Sequence, residues 1–276
     1  RKDFSGNSVY KKVIKNIKNI KDRSLMGVAV TLTDKNTDLV KTLKHLIKYF
    51  PTVSIKPVRS LDGNIGINKG NVDEIKKEYT KLFDFLIHET QKGNLEYIAA
   101  LLNGDDYFGK FMLRLILNHK VLTRCDAGIG RFSLAQDGNI YACPGAIGIE
   151  ELEVGSLEGG ISYKIRDKLY KVLTEREKCN DCFARFVCGG ECMVSSYYST
   201  NKIDEVDQVM CELKKHLYKL SLLFNHIIGK TSYYKTIYLA CIEKTKRFDE
   251  DSRITKYLED NPQISFMDVK LNRENT

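Results

Sequence analysis

Apolar positions recur at helical spacing through the first ninety residues, interrupted by two short apolar runs. In 8–22, Val9, Val13, Ile17 and Ile20 form one stripe and Lys11, Lys12, Lys15 and Lys18 occupy the other faces, which predicts an amphipathic helix. The run 26–33 (MGVAVTLT) is short and rich in β-formers and predicts a buried strand. A helix is expected over 36–50, with Leu39, Leu43, Leu46 and Ile47 inward and Pro51 ending it. A second strand follows at 53–59 (VSIKPVR), then a Gly/Asn-rich loop. The third helix, 72–88, turns Val72, Ile75, Tyr79, Leu82 and Leu86 inward. Strand, helix, strand, helix with short loops is the pattern of a parallel βαβ unit.

Residues 95–120 read as helical. Beyond Cys125 the pattern changes to short strands, glycine-rich turns and clustered cysteines, running to about Cys211. The dipeptide Asp137-Gly138 lies between short strands at 131–136 and 139–142, a strong hairpin signal. Helices are expected at 161–173, 206–224 and 233–246, followed by a charged tail. No internal repeat is visible. The expected divisions are 1–94, a bridge at 95–124, a cysteine-rich unit at 125–228 and an extension at 229–276.

Apolar residues make up 42% of the 276, enough for a real core, and exclude a disordered chain. The net charge of +8 is uneven, because residues 1–70 hold 15 Lys/Arg against 5 Asp/Glu. Without interleaved aromatics, that excess reads as a solvated lysine face rather than a nucleic-acid surface. No apolar run approaches the roughly 20 residues of a membrane span, and no signal peptide opens the chain. A cytoplasmic location is therefore expected. The first residue is Arg rather than Met, as expected of a segment of a longer protein.

Eight cysteines in such a chain point to metal or redox chemistry more than to disulfides. Their order is Cys125-x12-Gly138-x4-Cys143, a gap, Cys179-x2-Cys182-x5-Cys188-x3-Cys192, another gap, and Cys211. Short spacings bring several thiolates together in a tight loop without a large core. Gly189 and Gly190 let the backbone fold closely around an inorganic centre. On spacing alone, structural zinc and iron–sulfur clusters both remain open.

The whole pattern resembles the SPASM domain, the twin-cluster module that closes many radical S-adenosylmethionine (SAM) enzymes. The resemblance covers residues 125–211, with seven positions and four fixed spacings in order. It implies two auxiliary [4Fe–4S] clusters with interleaved ligands: Cys125, Cys143 and Cys192 for the first, Cys179, Cys182, Cys188 and Cys211 for the second. Upstream, MGVAVTLT and VSIKPVR resemble the fifth and sixth strands of the family's partial (β/α)6 barrel. The implied fold class is α/β, the second half of that barrel followed by a small cysteine-rich α+β domain.

The CxxxCxxC motif that ligates the SAM-cleaving cluster is absent from this sequence; after Cys188 and Cys192, Ser195 stands where a third cysteine would be. The chain as given is therefore not expected to cleave SAM unaided, and the third [4Fe–4S] cluster and SAM belong to a full-length enzyme. Sulfatase-maturing relatives carry an Asp after the second motif cysteine and a further cysteine six residues after the first. Pro144 and Arg131 occupy those positions here. The string CNDCFARFVCGGEC instead resembles thioether-forming peptide maturases. A ribosomal precursor peptide and a reducing partner such as flavodoxin or ferredoxin are implied, with no nucleic acid or membrane. The alternative is a non-catalytic electron-transfer or structural module, with a zinc-loaded interaction domain its weaker form.

Other residues carry less. Cys241 lies on an apolar helical face and reads as a buried thiol, with a fourth-ligand role as its alternative. His45, His88, His119, His216 and His226 are scattered and read as surface or helix-face residues. Gly128 and Gly130 lack the third glycine of a dinucleotide loop. Arg185 and Phe186 are expected to pack around the second cluster. Asp126 and Glu191 are the nearest candidates for a substrate-side carboxylate, and Lys56 and Arg59 could face the SAM or peptide site from a strand end.

Overall fold

The computed structural model describes residues 4–59 and 65–250. The tail at 251–276 and part of the Gly/Asn-rich loop lie outside the described residues. The fold is mixed α/β, about half helical, with two small sheets. The first helix, α1 (Tyr10–Lys18), buries Ile14 and Ile17 and exposes Val13 and Ile20. The expected stripe is thus corrected: the helix is shorter than its apolar pattern, Ile20 lies beyond its end, and the pair three residues apart faces the core.

Strand β1 (Gly27–Leu32), helix α2 (Leu39–Leu46) and strand β2 (Thr52–Pro57) form a parallel βαβ unit in which Gly27 pairs with Thr52 and Leu32 with Pro57. Asp38 caps α2 by accepting the Lys41 N–H at 2.9 Å. β1 was expected to be buried, but Gly27, Ala29 and Thr31 are exposed while Val28 and Val30 pack on the core. Only one face of β1 is covered, so its side chains alternate.

Among the described residues this parallel sheet has two strands and closes no barrel. The outer edge of β2 is sealed by the loop between α4 (Glu96–Leu101) and α5 (Gly109–Ile116). Asn103 donates to Val53 O at 3.0 Å, Asp106 accepts from Ile55 N at 2.6 Å, and Tyr107 N reaches Ile55 O at 3.4 Å. That loop also divides 95–120 into two helices where the sequence suggests one helical stretch.

Helix α3 (Val72–Gln91) buries all five expected residues and packs along a later helix, α10 (Gln208–Ile228). His216 of α10 donates to Lys76 O at 3.0 Å, so this helix-face histidine ties two helices together. Asp207 caps α10 by accepting from Val209 N, and its second oxygen takes the Arg59 Nε at 2.8 Å. The sequence groups α10 with the cysteine-rich unit, yet Leu213, Leu217 and Phe224 belong to the core of the first half.

The second core lies under an antiparallel meander of β3 (Ser133–Leu134), β4 (Asn139–Tyr141), β5 (Glu153–Ser156) and β6 (Gly160–Ile161). Gly138, at φ +87°, makes the expected β3–β4 turn. Val154, Leu152 and Ala142 pack there against Leu169 of α6 (Tyr163–Thr174). Three short helices follow, α7 (Glu177–Asn180), α8 (Arg185–Cys188) and α9 (Met193–Thr200), before α10 and α11 (Tyr233–Glu250).

Asp106 is fully buried and accepts three backbone N–H groups, from Ile55, Phe108 and Gly109. Burial pushes its carboxyl up to about 6 despite those bonds. The folded value lies above the unfolded 3.8, so the contribution to stability is full below pH 4 and is lost as pH rises through 6. We expect Asp106→Asn to remove this component of the pH dependence between about pH 4 and 6 in urea melts. The same variant should cost about 1–3 kcal/mol at pH 5, because one N–H loses its acceptor.

Candidate metal centre

The seven motif cysteines are held by short elements rather than by one scaffold. Cys125 opens a tight turn whose Gly128 N–H donates to Arg131 O and to Ala142 O, both at 2.9 Å. That second bond ties the turn to the end of β4, where Cys143 follows in extended backbone. Cys192 precedes the first turn of α9. Cys179 ends its turn against Cys182, whose N–H donates back to Cys179 O at 3.2 Å, and Cys188 closes α8. Cys211 sits in the first turn of α10, four residues after Asp207.

The thiols separate into two groups. Cys179, Cys182, Cys188 and Cys211 line one small cavity of about 30 Å³. Cys192 does not line it, although only three residues separate it from Cys188. Burial pushes the Cys143 thiol up, with Cys192 and then Cys125 adding to the shift. Burial likewise raises Cys179, with help from Cys188 and Cys182, and lifts Cys211 to about 11. The sulfurs that perturb each of these three come from its own group.

All seven are half-buried and none is in a disulfide. Among the described residues no three His, Cys, Asp or Glu side chains converge on one point for a single ion.

The surroundings are cationic. Arg114 lies near Cys188, Arg124 near Cys192, Arg176 near Cys179 and Cys192, and Lys214 near Cys211. Arg176 and Lys214 are almost fully buried. Arg176 donates to Glu191 O at 2.6 Å and to Ile203 O at 2.7 Å, while its buried Nε has no partner among the described residues. An orphaned donor beside two cysteines fits a centre whose sulfurs accept hydrogen bonds. Neutral thiols do not balance the excess cations, whereas metal-bound thiolates do.

The structure places the other candidate residues, and it corrects the expectation for Glu191. Glu191 is buried and accepts from Lys214 Nζ at 2.7 Å and from Cys192 N at 2.8 Å, so it does not face a substrate. Asp126 is exposed and pairs with Arg131 Nε at 3.3 Å. Arg59 is engaged by Asp207 at α10, and Lys56 meets Asp105 at the surface. Cys241 is fully buried in the first core, whereas Cys125 and Cys143 pack on the second, which leaves Cys241 outside the first group. Arg185 lines the four-cysteine cavity and donates to Thr174 O at 2.9 Å, but Phe186 is half exposed.

The cation shell was not foreseen from the sequence. Its members lie on α5, in the segment after α5, before α7 and on α10, and no short-range spacing links them.

The chain matches no family model and no curated protein.

Gly189 is the tightest backbone constraint at the site. It holds φ +70°, and a Cβ there would stand 2.7 Å from the backbone of Thr123 and Arg124, next to Cys125. We expect Gly189→Ala to destabilise the protein by more than about 2 kcal/mol through strain and clash. Gly104→Ala, where a Cβ meets nothing within 4 Å, should change thermal melting by far less.

Proposed function

We propose that this chain is part of a radical SAM/SPASM enzyme that modifies a ribosomally made peptide by forming a thioether. The observation that carries the proposal is the gathering of Cys179, Cys182, Cys188 and Cys211 around one cavity beside buried cationic side chains. Cys179, Cys182, Cys188 and Cys211 would hold one [4Fe–4S] cluster, and Cys125, Cys143 and Cys192 the other. These clusters would supply thiolate binding and one-electron uptake.

With three protein thiolates, the first group leaves one ligand position for the sulfur of a substrate cysteine. Arg131 stands where a further cysteine would close that position, and its guanidinium pairs with Asp126 instead. Exposed Asp126 is then the carboxylate nearest the peptide side. The parallel β1–β2 pair supports the barrel reading, since parallel sheets are normally covered on both faces. β2 is sealed by Asn103 and Asp106, so further strands would add at β1. In this reading SAM cleavage is performed by a CxxxCxxC segment outside the given sequence.

Anaerobic reconstitution followed by iron and acid-labile sulfide analysis tests the proposal. We expect about eight irons and eight sulfides per chain, the content of two cubanes. Cys192→Ala and Cys211→Ala should each lose about four irons, from different clusters, with circular dichroism unchanged. Roughly two zincs per chain and no sulfide would instead favour the interaction-domain alternative. Full-length enzyme with its precursor peptide and SAM should yield a product lacking two hydrogens.

A further inference from the structure

A single side chain spans the two thiol groups. Glu191 Oε1 accepts the backbone N–H of Cys192, in the group of three, at 2.8 Å. Its Oε2 accepts from Lys214 Nζ at 2.7 Å, and Lys214 lines the cavity of the group of four. Arg176 holds the Glu191 carbonyl at 2.6 Å. Both charged groups of the pair are within a few per cent of full burial. A buried ion pair of this kind gives little net stability, because desolvation consumes most of the attraction. Its position between two metal-binding groups gives it another use.

We propose that the Glu191–Lys214 pair is a positioning and electrostatic bridge that offsets the reduction potentials of the two centres. The inference rests on the twin-cluster reading. Glu191 fixes the backbone at Cys192 and at the same time cancels the Lys214 charge facing the other group. Reduction potentials of iron–sulfur centres respond to nearby net charge and hydrogen bonds. A cation left without its carboxylate would stabilise the reduced state of the four-cysteine centre. A carboxylate left without its cation would do the opposite.

The test uses reconstituted protein and a redox titration followed by electron paramagnetic resonance, with iron counted on the same samples. Glu191→Gln keeps an acceptor for the Cys192 N–H and removes the charge. We expect iron content to be retained and the potential of the four-cysteine centre to move positive. Lys214→Met should move it negative. Shifts of opposite sign are not produced by simple loosening of the fold, and their observation supports the bridge. Unchanged potentials in both variants, or iron loss in both with no shift in what remains, would overturn it while leaving the twin-cluster reading intact. A wild-type protein that binds no iron or sulfide would count against that reading itself.

Discussion

Charge buried beside the thiols constrains the rest of the site. Arg176, Lys214, Arg124 and Arg114 crowd a region where Glu191 is the buried carboxylate. Burial works against the Glu191 charge, yet Lys214 and Arg124 hold its carboxyl below the ordinary range. Burial alone would neutralise these cations or expel them. They stay because backbone carbonyls, Tyr107 and Glu191 satisfy part of their demand, and anionic sulfur would satisfy the remainder. The same region joins the two cores, since Lys214 sits on α10 and Glu191 lies in the loop that carries Cys192.

α10 transmits this constraint across the molecule. Its N-terminus is fixed by Asp207, which is itself fixed by Arg59 at the end of β2. Cys211 comes one turn later and Lys214 less than one turn after that. Below them, Glu212 and His216 engage Lys76 on α3. A helix assigned by sequence to the cysteine-rich unit thus belongs to the first core and presents one cysteine to the other unit.

Local signals were legible in the sequence wherever periodicity or turn chemistry decided the outcome. The βαβ unit, α3 with its five buried residues and the Gly138 hairpin follow from spacing alone. That Cys188 lines the cavity and Cys192 does not was not legible from spacing, because the two are close in sequence. Long-range contacts were not legible. Nothing near Glu191 in sequence announces Lys214, and nothing near Arg59 announces Asp207. Both carboxylate and guanidinium looked available for a substrate until their partners, 23 and 148 positions away, were in view. The α1 stripe failed for a different reason: apolar residues flank the helix at both ends and mimic a longer period.

X-ray absorption at the iron and zinc edges of the anaerobically isolated protein tests the central claim most directly, since it reads what the thiols bind. The account predicts an iron edge with a sulfur shell and an additional iron–iron shell, with about half the iron and the same shells per iron in Cys192→Ala and in Cys211→Ala alike. A zinc edge with sulfur neighbours and no metal–metal shell would contradict it.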